Sequence, residues 1–101
     1  MNHVEHLLTC LGEEGCEVAQ DVAKSLRFGL SDRNVLNFTG PTNRERLINE
    51  LNDLEAVADM LAAFDIIPLD WRDAKKQAAK KLKVMDFMDY AKKVGALKGR
   101  S

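Results

Sequence analysis

The chain has few of the residues on which disulfide-linked or zinc-binding proteins depend. Its 101 residues include only 2 cysteines, 2 histidines, 2 prolines and 1 tryptophan. Cys10 and Cys16 are six apart in a segment with helical periodicity, so they point to different faces and cannot bond to each other. There is no Cys-x-x-Cys pair or Cys/His cluster to suggest a zinc site. We expect both cysteines to be reduced.

Long apolar runs are also absent. No stretch approaches the roughly 20 apolar residues that cross a bilayer. The first eight residues lack the basic segment and the apolar core of a secretory signal. Apolar residues make up 46% of the chain and charged residues 31%, which is typical of a folded soluble domain. We therefore expect one cytoplasmic domain over residues 1–101, with no membrane partner.

The net charge of −1 hides a strong asymmetry. Residues 1–71 hold 13 acidic residues against 5 lysines and arginines, whereas residues 72–101 hold 10 lysines and arginines against 3 acidic residues. A basic segment is one feature of nucleic-acid-binding proteins, but no nucleic-acid-binding motif accompanies these lysines. We interpret the segment as a solvent face that offsets the acidic part, and we expect no nucleic-acid partner.

Apolar residues recur at steps of three and four along three segments, which predicts three long helices. The first is predicted from His3 to Phe28, the second from Asn43 to Phe64 and the third from Leu69 to Val94. The fold class is therefore all-α, an antiparallel helical bundle of three or four helices per chain. Because so short a chain buries a modest core, we expect oligomerisation to complete the bundle.

Several local signals set the ends of these helices. Gly29 is placed to end the first helix in a left-handed conformation, and Gly95 to cap the third. Thr42 to Glu45 match a capping box at the start of the second helix. Pro68 suits the first turn of the third. The first helix carries one apolar stripe that is predicted to face a partner, and it comprises Val4, Leu8, Leu11, Gly15, Val18, Val22 and Leu26.

Acidic residues recur at helical spacing in the first two helices. Glu14 and Glu17 are three apart, and so are Glu50 and Asp53, so each pair projects from one side of its helix. In an antiparallel hairpin, the residue numbers of facing pairs have a constant sum. That sum is 67 for Glu14 with Asp53 and for Glu17 with Glu50. One register therefore brings both carboxylate pairs to the same level, and Glu13 shares the side of Glu17.

Basic and amide side chains lie along the same groove, toward the loop from the carboxylates. Lys24 and Asn43 also sum to 67, and each lies seven residues, or about 10 Å, from its nearer carboxylate. Arg27 and the start of the second helix extend this donor-rich end. Converging carboxylates repel one another, and Mg²⁺, which prefers oxygen ligands and binds phosphates, removes the conflict. The simpler interpretation is a solvated acidic face, with Asp21 and Lys24 as a surface ion pair.

The two acidic motifs together resemble a known family. Glu13-Glu14-x-x-Glu17 followed by Glu50-x-x-Asp53 is similar to the EExxE…ExxD signature of the all-alpha nucleoside triphosphate pyrophosphohydrolases, the MazG-like superfamily. The similarity extends over residues 14–29 and 42–54 and the basic C-terminal helix, and looks like the short single-domain members of phages and bacteria. The gap between the motifs is longer than usual, and the loop over residues 30–42 accounts for it.

The resemblance implies Mg²⁺-dependent cleavage of a (deoxy)nucleoside triphosphate between its alpha and beta phosphates, giving the monophosphate and pyrophosphate. It implies that Mn²⁺ can replace Mg²⁺, and that the chain forms a homodimer or homotetramer. By motif position, the metal ligands are Glu14, Glu17, Glu50 and Asp53. Glu13 completes the catalytic set, either behind the ligands or in activating water. The expected substrate contacts are Lys24, Arg27 and Asn43.

Other assignments stay open at this level. Phe38, in the loop, is favoured over Phe28, Trp71 and Tyr90 for stacking on a base. The alternative function is a non-catalytic helical protein that binds nucleotides or acts as an adaptor through its basic C-terminal helix. That alternative predicts that loss of the carboxylates is harmless and that binding weakens steeply with salt.

Overall fold

A computed structural model describes residues 1–34, 36 and 38–98 of the chain. The described residues form no strand and three α-helices, α1 His3–Phe28, α2 Asn43–Ala63 and α3 Ala74–Lys93. The all-α fold class is therefore confirmed. The chain divides into two compact units, Met1–Leu69 and Asp70–Ser101. No helix in the described part is long and apolar enough to cross a membrane.

The bounds of α1 are those predicted, and both ends are hydrogen-bonded. The Asn2 side chain accepts the backbone N–H of Glu5 at 2.8 Å, which satisfies one of the donors left free at a helix start. The Gly29 N–H donates to the carbonyl of Ser25 at 2.8 Å. Gly29 has the expected positive φ, +95°, but its ψ of 154° lies outside the left-handed helical region. The chain therefore leaves α1 in an extended direction.

The helices α1 and α2 pack as an antiparallel hairpin in the predicted register. The His3 ring stacks on Phe64 with ring centroids 6.0 Å apart, and Glu17 hydrogen-bonds to Glu50 further along. Both pairs have the expected sum of 67. We call the line of contact between α1 and α2 the seam. Its buried and half-buried positions follow steps of four and three along each helix, as in a helix pair packed along its length. They are Leu7, Leu11, Glu14, Val18, Asp21 and Ser25 of α1 and Asn43, Leu47, Glu50, Leu54, Val57 and Leu61 of α2, and the remaining buried or half-buried residues of the two helices are Cys10, Arg46, Ala58 and Ala62.

Most of the predicted apolar stripe of α1 does not face α2. Only Leu11 and Val18 lie in the seam, whereas the other members are exposed: Val4, Leu8, Gly15, Val22 and Leu26. The seam runs beside that stripe, along a line that carries polar residues at three of its six α1 positions. Polar residues at buried positions conceal the packing face from an apolar pattern. The apolar line is an outer face of the hairpin.

The loop between α1 and α2 is tied to the start of α2. The Asn43 N–H donates to the carbonyl of Asp32, and the Arg44 N–H donates to that of Leu30, both at 2.9 Å. The predicted capping box is confirmed, with Thr42 accepting the Glu45 N–H at 3.1 Å and the Glu45 carboxylate accepting the Thr42 N–H at 3.2 Å. The Thr42 N–H and hydroxyl lower the pKa of Glu45. These bonds fix the loop against the hairpin.

The second unit contains α3, which starts five residues later than predicted. Asp73 is its N-cap and accepts the Lys76 N–H at 3.0 Å, so Pro68 precedes the helix instead of opening it. At the other end, Gly95 follows the Val94 cap with a φ of +77°, as expected of a glycine after a helix. No residue of α3 is buried.

We predict that Thr42→Ala destabilises the hairpin by about 1 kcal/mol, because the Glu45 N–H and the Glu45 carboxylate both lose a partner. Thr42→Ser keeps the hydroxyl and serves as the matched control. Urea denaturation followed by circular dichroism at neutral pH measures the difference. Equal free energies of unfolding for the two variants would show that the cap contributes nothing.

Candidate functional site: a carboxylate cluster beside a cationic cleft

Carboxylates from both helices of the hairpin converge in its seam. Each of Glu14, Glu50 and Asp53 offers an oxygen that lies within 4.8 Å of the oxygens of the other two. Glu17 joins the group through its hydrogen bond with Glu50. The structure therefore brings together three of the four residues that the sequence assigned to the metal, and it places the fourth, Glu17, against Glu50. Glu14 and Glu50 are half-buried, whereas Glu17 and Asp53 are exposed.

Two oxygens of this cluster are buried without a donor. Oε2 of Glu14 and Oε2 of Glu50 receive no hydrogen bond from any described residue. A buried acceptor without a partner is unfavourable, and an ionised carboxylate can only accept. The bonds between Glu50 and its neighbours therefore need a proton on one carboxyl group. A proton or a cation satisfies this arrangement, and a divalent cation satisfies all the acids together.

The electrostatics of the cluster act most strongly on Glu50. The pKa of Glu50 is raised to about 7. The largest cause is its hydrogen bond with Glu17, and desolvation and the Glu14 carboxylate add to the effect. Like charges at short range favour the protonated form of one member. A pKa of about 7 places the titration of Glu50 close to neutral pH.

A cleft of about 240 Å³ lies in the same hairpin, toward the loop. It is built from the last two turns of α1, the start of α2 and the loop between them. Its lining residues are Lys24, Arg27, Phe28, Asp32, Asn34, Asn43 and Arg46. The three residues that the sequence assigned to the substrate thus line one cleft. The loop also contributes to it, as expected for residues 30–42.

The cations of this cleft have no acidic partner in the described part of the chain. No described carboxylate forms an ion pair with Lys24, Arg27 or Arg46. The Arg27 guanidinium lies 5.5 Å from the centre of the Phe28 ring, a cation–π contact that leaves its charge uncompensated. Uncompensated cations in a concave site attract an anion, and guanidinium groups suit phosphate oxygens in particular.

The start of α2 does not donate to a ligand as the sequence suggested. Its first four N–H groups are already bonded, those of Asn43 and Arg44 to loop carbonyls and those of Glu45 and Arg46 to Thr42. Asn43 is itself buried, and its side-chain amide donates to the Gly29 carbonyl at 2.9 Å. Asn43 therefore holds the cleft together as well as lining it. Cationic side chains supply the positive charge there.

Some sequence assignments fall elsewhere. Glu13 is exposed and lies outside the group formed by Glu14, Glu50 and Asp53, so its catalytic role stays a prediction. Asp21 is buried at 8% exposure and forms no ion pair with Lys24, so these two residues are not a surface pair. Phe38 does not line the cleft, whereas Phe28 does. The sequence signal for Phe28 is its position between Arg27, an expected substrate contact, and Gly29, the cap of α1.

We predict that the metal-free protein loses stability as the pH rises from about 4.5 to about 7 because of Glu50. Its folded pKa is raised, so over this range the folded state binds a proton that the unfolded state has lost. The contribution is present in full below the unfolded pKa. Mg²⁺ needs ionised ligands and should therefore raise the melting temperature more at about pH 8 than at about pH 5.

Thermal unfolding with and without Mg²⁺ tests this pH dependence. Glu50→Gln should remove the pH-dependent difference, and Glu5→Gln, a change in an exposed glutamate of the first α1 turn, should retain it. A Glu50→Gln variant with the same pH dependence as the parent would contradict the assignment.

No protein-family profile matches this chain, and neither a curated protein nor a solved structure matches it. The geometry of the carboxylate cluster and the cationic cleft is therefore the basis on which a function is inferred.

Proposed function

We propose that this protein is a Mg²⁺-dependent nucleoside triphosphate pyrophosphohydrolase of the MazG-like kind. It cleaves a (deoxy)nucleoside triphosphate between the alpha and beta phosphates and releases the monophosphate and pyrophosphate. The observation that carries the proposal is the pairing of two features in one hairpin. A group of three carboxylates, with Glu17 against Glu50 and two unpartnered buried oxygens, lies beside a cleft with three cations that form no ion pair with a described carboxylate.

The carboxylates fit a hard divalent cation. Glu14, Glu17, Glu50 and Asp53 would hold Mg²⁺, and Mn²⁺ takes the same oxygen ligands. When bound, the ion stabilises negative charge on phosphate oxygens and makes bound water more acidic. The unpartnered oxygens of Glu14 and Glu50 support this fit, because a protein that needed only a solvated face would leave them exposed to water.

The cationic side chains of the cleft bind the phosphate chain. Lys24 and Arg46 are seven and four residues from Glu17 and Glu50, or about 10 Å and about 6 Å along the helices. A triphosphate placed between them has donors at one end and the carboxylates at the other. These cations neutralise part of the negative charge of the phosphate chain.

Water hydrolyses the phosphoanhydride, and its proton needs an acceptor. The attacking water oxygen forms a bond to one phosphorus atom as the P–O bond between that atom and the bridging oxygen breaks. The electron pair of the broken bond stays on the bridging oxygen, which departs with the other phosphate fragment. Glu13, which is exposed on the helix beside the four ligands, is the carboxylate proposed to accept the proton or to orient the water. The other acids are committed as ligands.

We predict that Glu17→Gln and Asp53→Asn each reduce turnover at least 100-fold, because each removes one charged ligand and leaves the helix unchanged. Pyrophosphate release from a panel of ribo- and deoxyribonucleoside triphosphates, with and without Mg²⁺, measures the effect. Glu5→Gln is the matched control and should retain full activity. Normal turnover by both ligand variants, with intact circular dichroism spectra, would disprove the assignment of the site.

A second copy of the chain is proposed to cover the outer apolar face of α1. Only Leu7, Leu61 and Ala62 are buried apolar residues in the described part of the chain. The outer face carries Val4, Leu8, Val22 and Leu26, which are 43–82% exposed. Apolar surface of this extent favours association. Homodimers or homotetramers are the proposed assemblies.

We predict that the double variant Leu8→Lys, Val22→Lys lowers the mass in solution, because two charges would be buried in the interface. Leu36→Lys, at a loop position that is 90% exposed, is the matched control. Sedimentation equilibrium measures both. A parent protein that sediments as a monomer at every concentration would contradict the assembly.

A further inference from the structure

One wall of the cleft differs in chemistry from the cationic wall. It is formed by the loop residues Asp32 and Asn34, with Phe28 beside them at the end of α1. The backbone of Asp32 is fixed, since its N–H donates to Gly29 at 3.3 Å and its carbonyl accepts from Asn43 at 2.9 Å. The loop therefore holds this wall in place between the two helices.

The Asp32 carboxylate has no partner within the described part of the chain. No described donor bonds to it, and no cation of the same cleft forms an ion pair with it. The group is half-buried. A carboxylate repels phosphate, so this wall is unsuited to the part of a nucleotide that the cations bind. It suits a neutral group with N–H or O–H donors.

Asn34 supplies the complementary donor. Its side-chain carbonyl oxygen accepts the Leu36 N–H at 2.9 Å, which fixes the orientation of the amide. The amide NH₂ makes no hydrogen bond to any other described residue. The wall thus presents two acceptor oxygens and one donor group next to an aromatic ring that is 62% exposed. Aromatic rings beside polar groups bind nucleobases by stacking while the polar groups read the base edge.

We infer that Phe28, Asp32 and Asn34 form a guanine-binding subsite, so that guanine nucleotides are the preferred substrates; this inference rests on the proposed function. Guanine carries two adjacent donors, N1–H and the N2 amino group, which match the two oxygens of one carboxylate. Its O6 accepts from an amide NH₂. Adenine, cytosine, uracil and thymine do not offer two adjacent donors on one edge, so they lose one of the two bonds to Asp32.

The size of the cleft agrees with a partial occupant. At about 240 Å³, it is smaller than the roughly 300–1,000 Å³ of pockets that enclose whole drug-sized ligands. A base at the loop wall leaves the phosphates to extend past the cations toward the carboxylate cluster. The order along the hairpin is then base, cations and carboxylates. The phosphates meet the cations first, and they reach the carboxylates only through the divalent cation of the proposed function.

Isothermal titration calorimetry with Ca²⁺ in place of Mg²⁺ tests the subsite without turnover. The probes are GTP, dGTP, ITP, ATP, UTP and inorganic tripolyphosphate, and ITP differs from GTP only in lacking the N2 amino group. We expect GTP and dGTP to bind roughly tenfold more tightly than ITP. Asp32→Asn should lower GTP affinity to the level of ITP and leave tripolyphosphate unchanged. Asp65→Asn, remote from the cleft, is the matched control.

Each other outcome has a definite meaning. Equal affinity of the parent for GTP, ITP, ATP and UTP would overturn the inference. A preference for GTP over dGTP that disappears in Asp32→Asn, with ITP bound as well as GTP, would assign Asp32 to the ribose hydroxyls and overturn the guanine assignment. Phe28→Leu is the second variant and should weaken all nucleotides but not tripolyphosphate. Guanine selectivity without pyrophosphate release would overturn the proposed reaction alone.

Discussion

The packing of α1 against α2 depends on relief of the repulsion among the carboxylates in the seam. Two parallel lines of side chains meet where α1 and α2 pack, and this contact would ordinarily be apolar. Here Glu14 and Glu50 occupy seam positions and place unpartnered oxygens inside it. The raised pKa of Glu50 reports the same conflict. The contact between the helices is therefore complete only when a proton or a cation is shared among the carboxylates.

The loop between the helices solves a second problem, which is how to keep a cationic cleft open next to that cluster. The Asn43 side chain joins the start of α2 to the end of α1 by donating to the Gly29 carbonyl. The carbonyls of the loop accept the first N–H groups of α2. Because the backbone donors are used internally, anion binding is left to long side chains that adapt to a ligand. The start of α2 thereby supports the cleft through its backbone, and the positive charge that lines the cleft belongs to Lys24, Arg27 and Arg46.

The parts of the fold set by local geometry could be predicted from the sequence. The bounds of α1 and the capping box at Thr42 follow from helical period and cap chemistry. The register of the hairpin follows from the matching spacing of the acidic pairs, which places Glu17 against Glu50. The seam could not be predicted, because Glu14, Asp21 and Glu50 stand where a pattern search expects apolar residues. The start of α3 depends on the Asp73 cap, which competes with Pro68. The sequence favours Phe38 for stacking on a base, whereas Phe28 lines the cleft. The residues that line the cleft depend on how the loop folds back, which local patterns do not show.

The charge distribution within the first unit argues that the cleft is reserved for a ligand. Residues 1–69 carry 12 acidic residues and only 5 lysines and arginines, so a cation there has an excess of carboxylates with which to pair. Three of those five cations line the cleft, and none of the three forms an ion pair with a described carboxylate. Exposed ion pairs contribute little to stability, so their absence costs the fold little. An anion that enters the cleft does not have to break an ion pair before it binds these cations. This favours a role in binding a phosphate chain over a purely structural role for the three side chains.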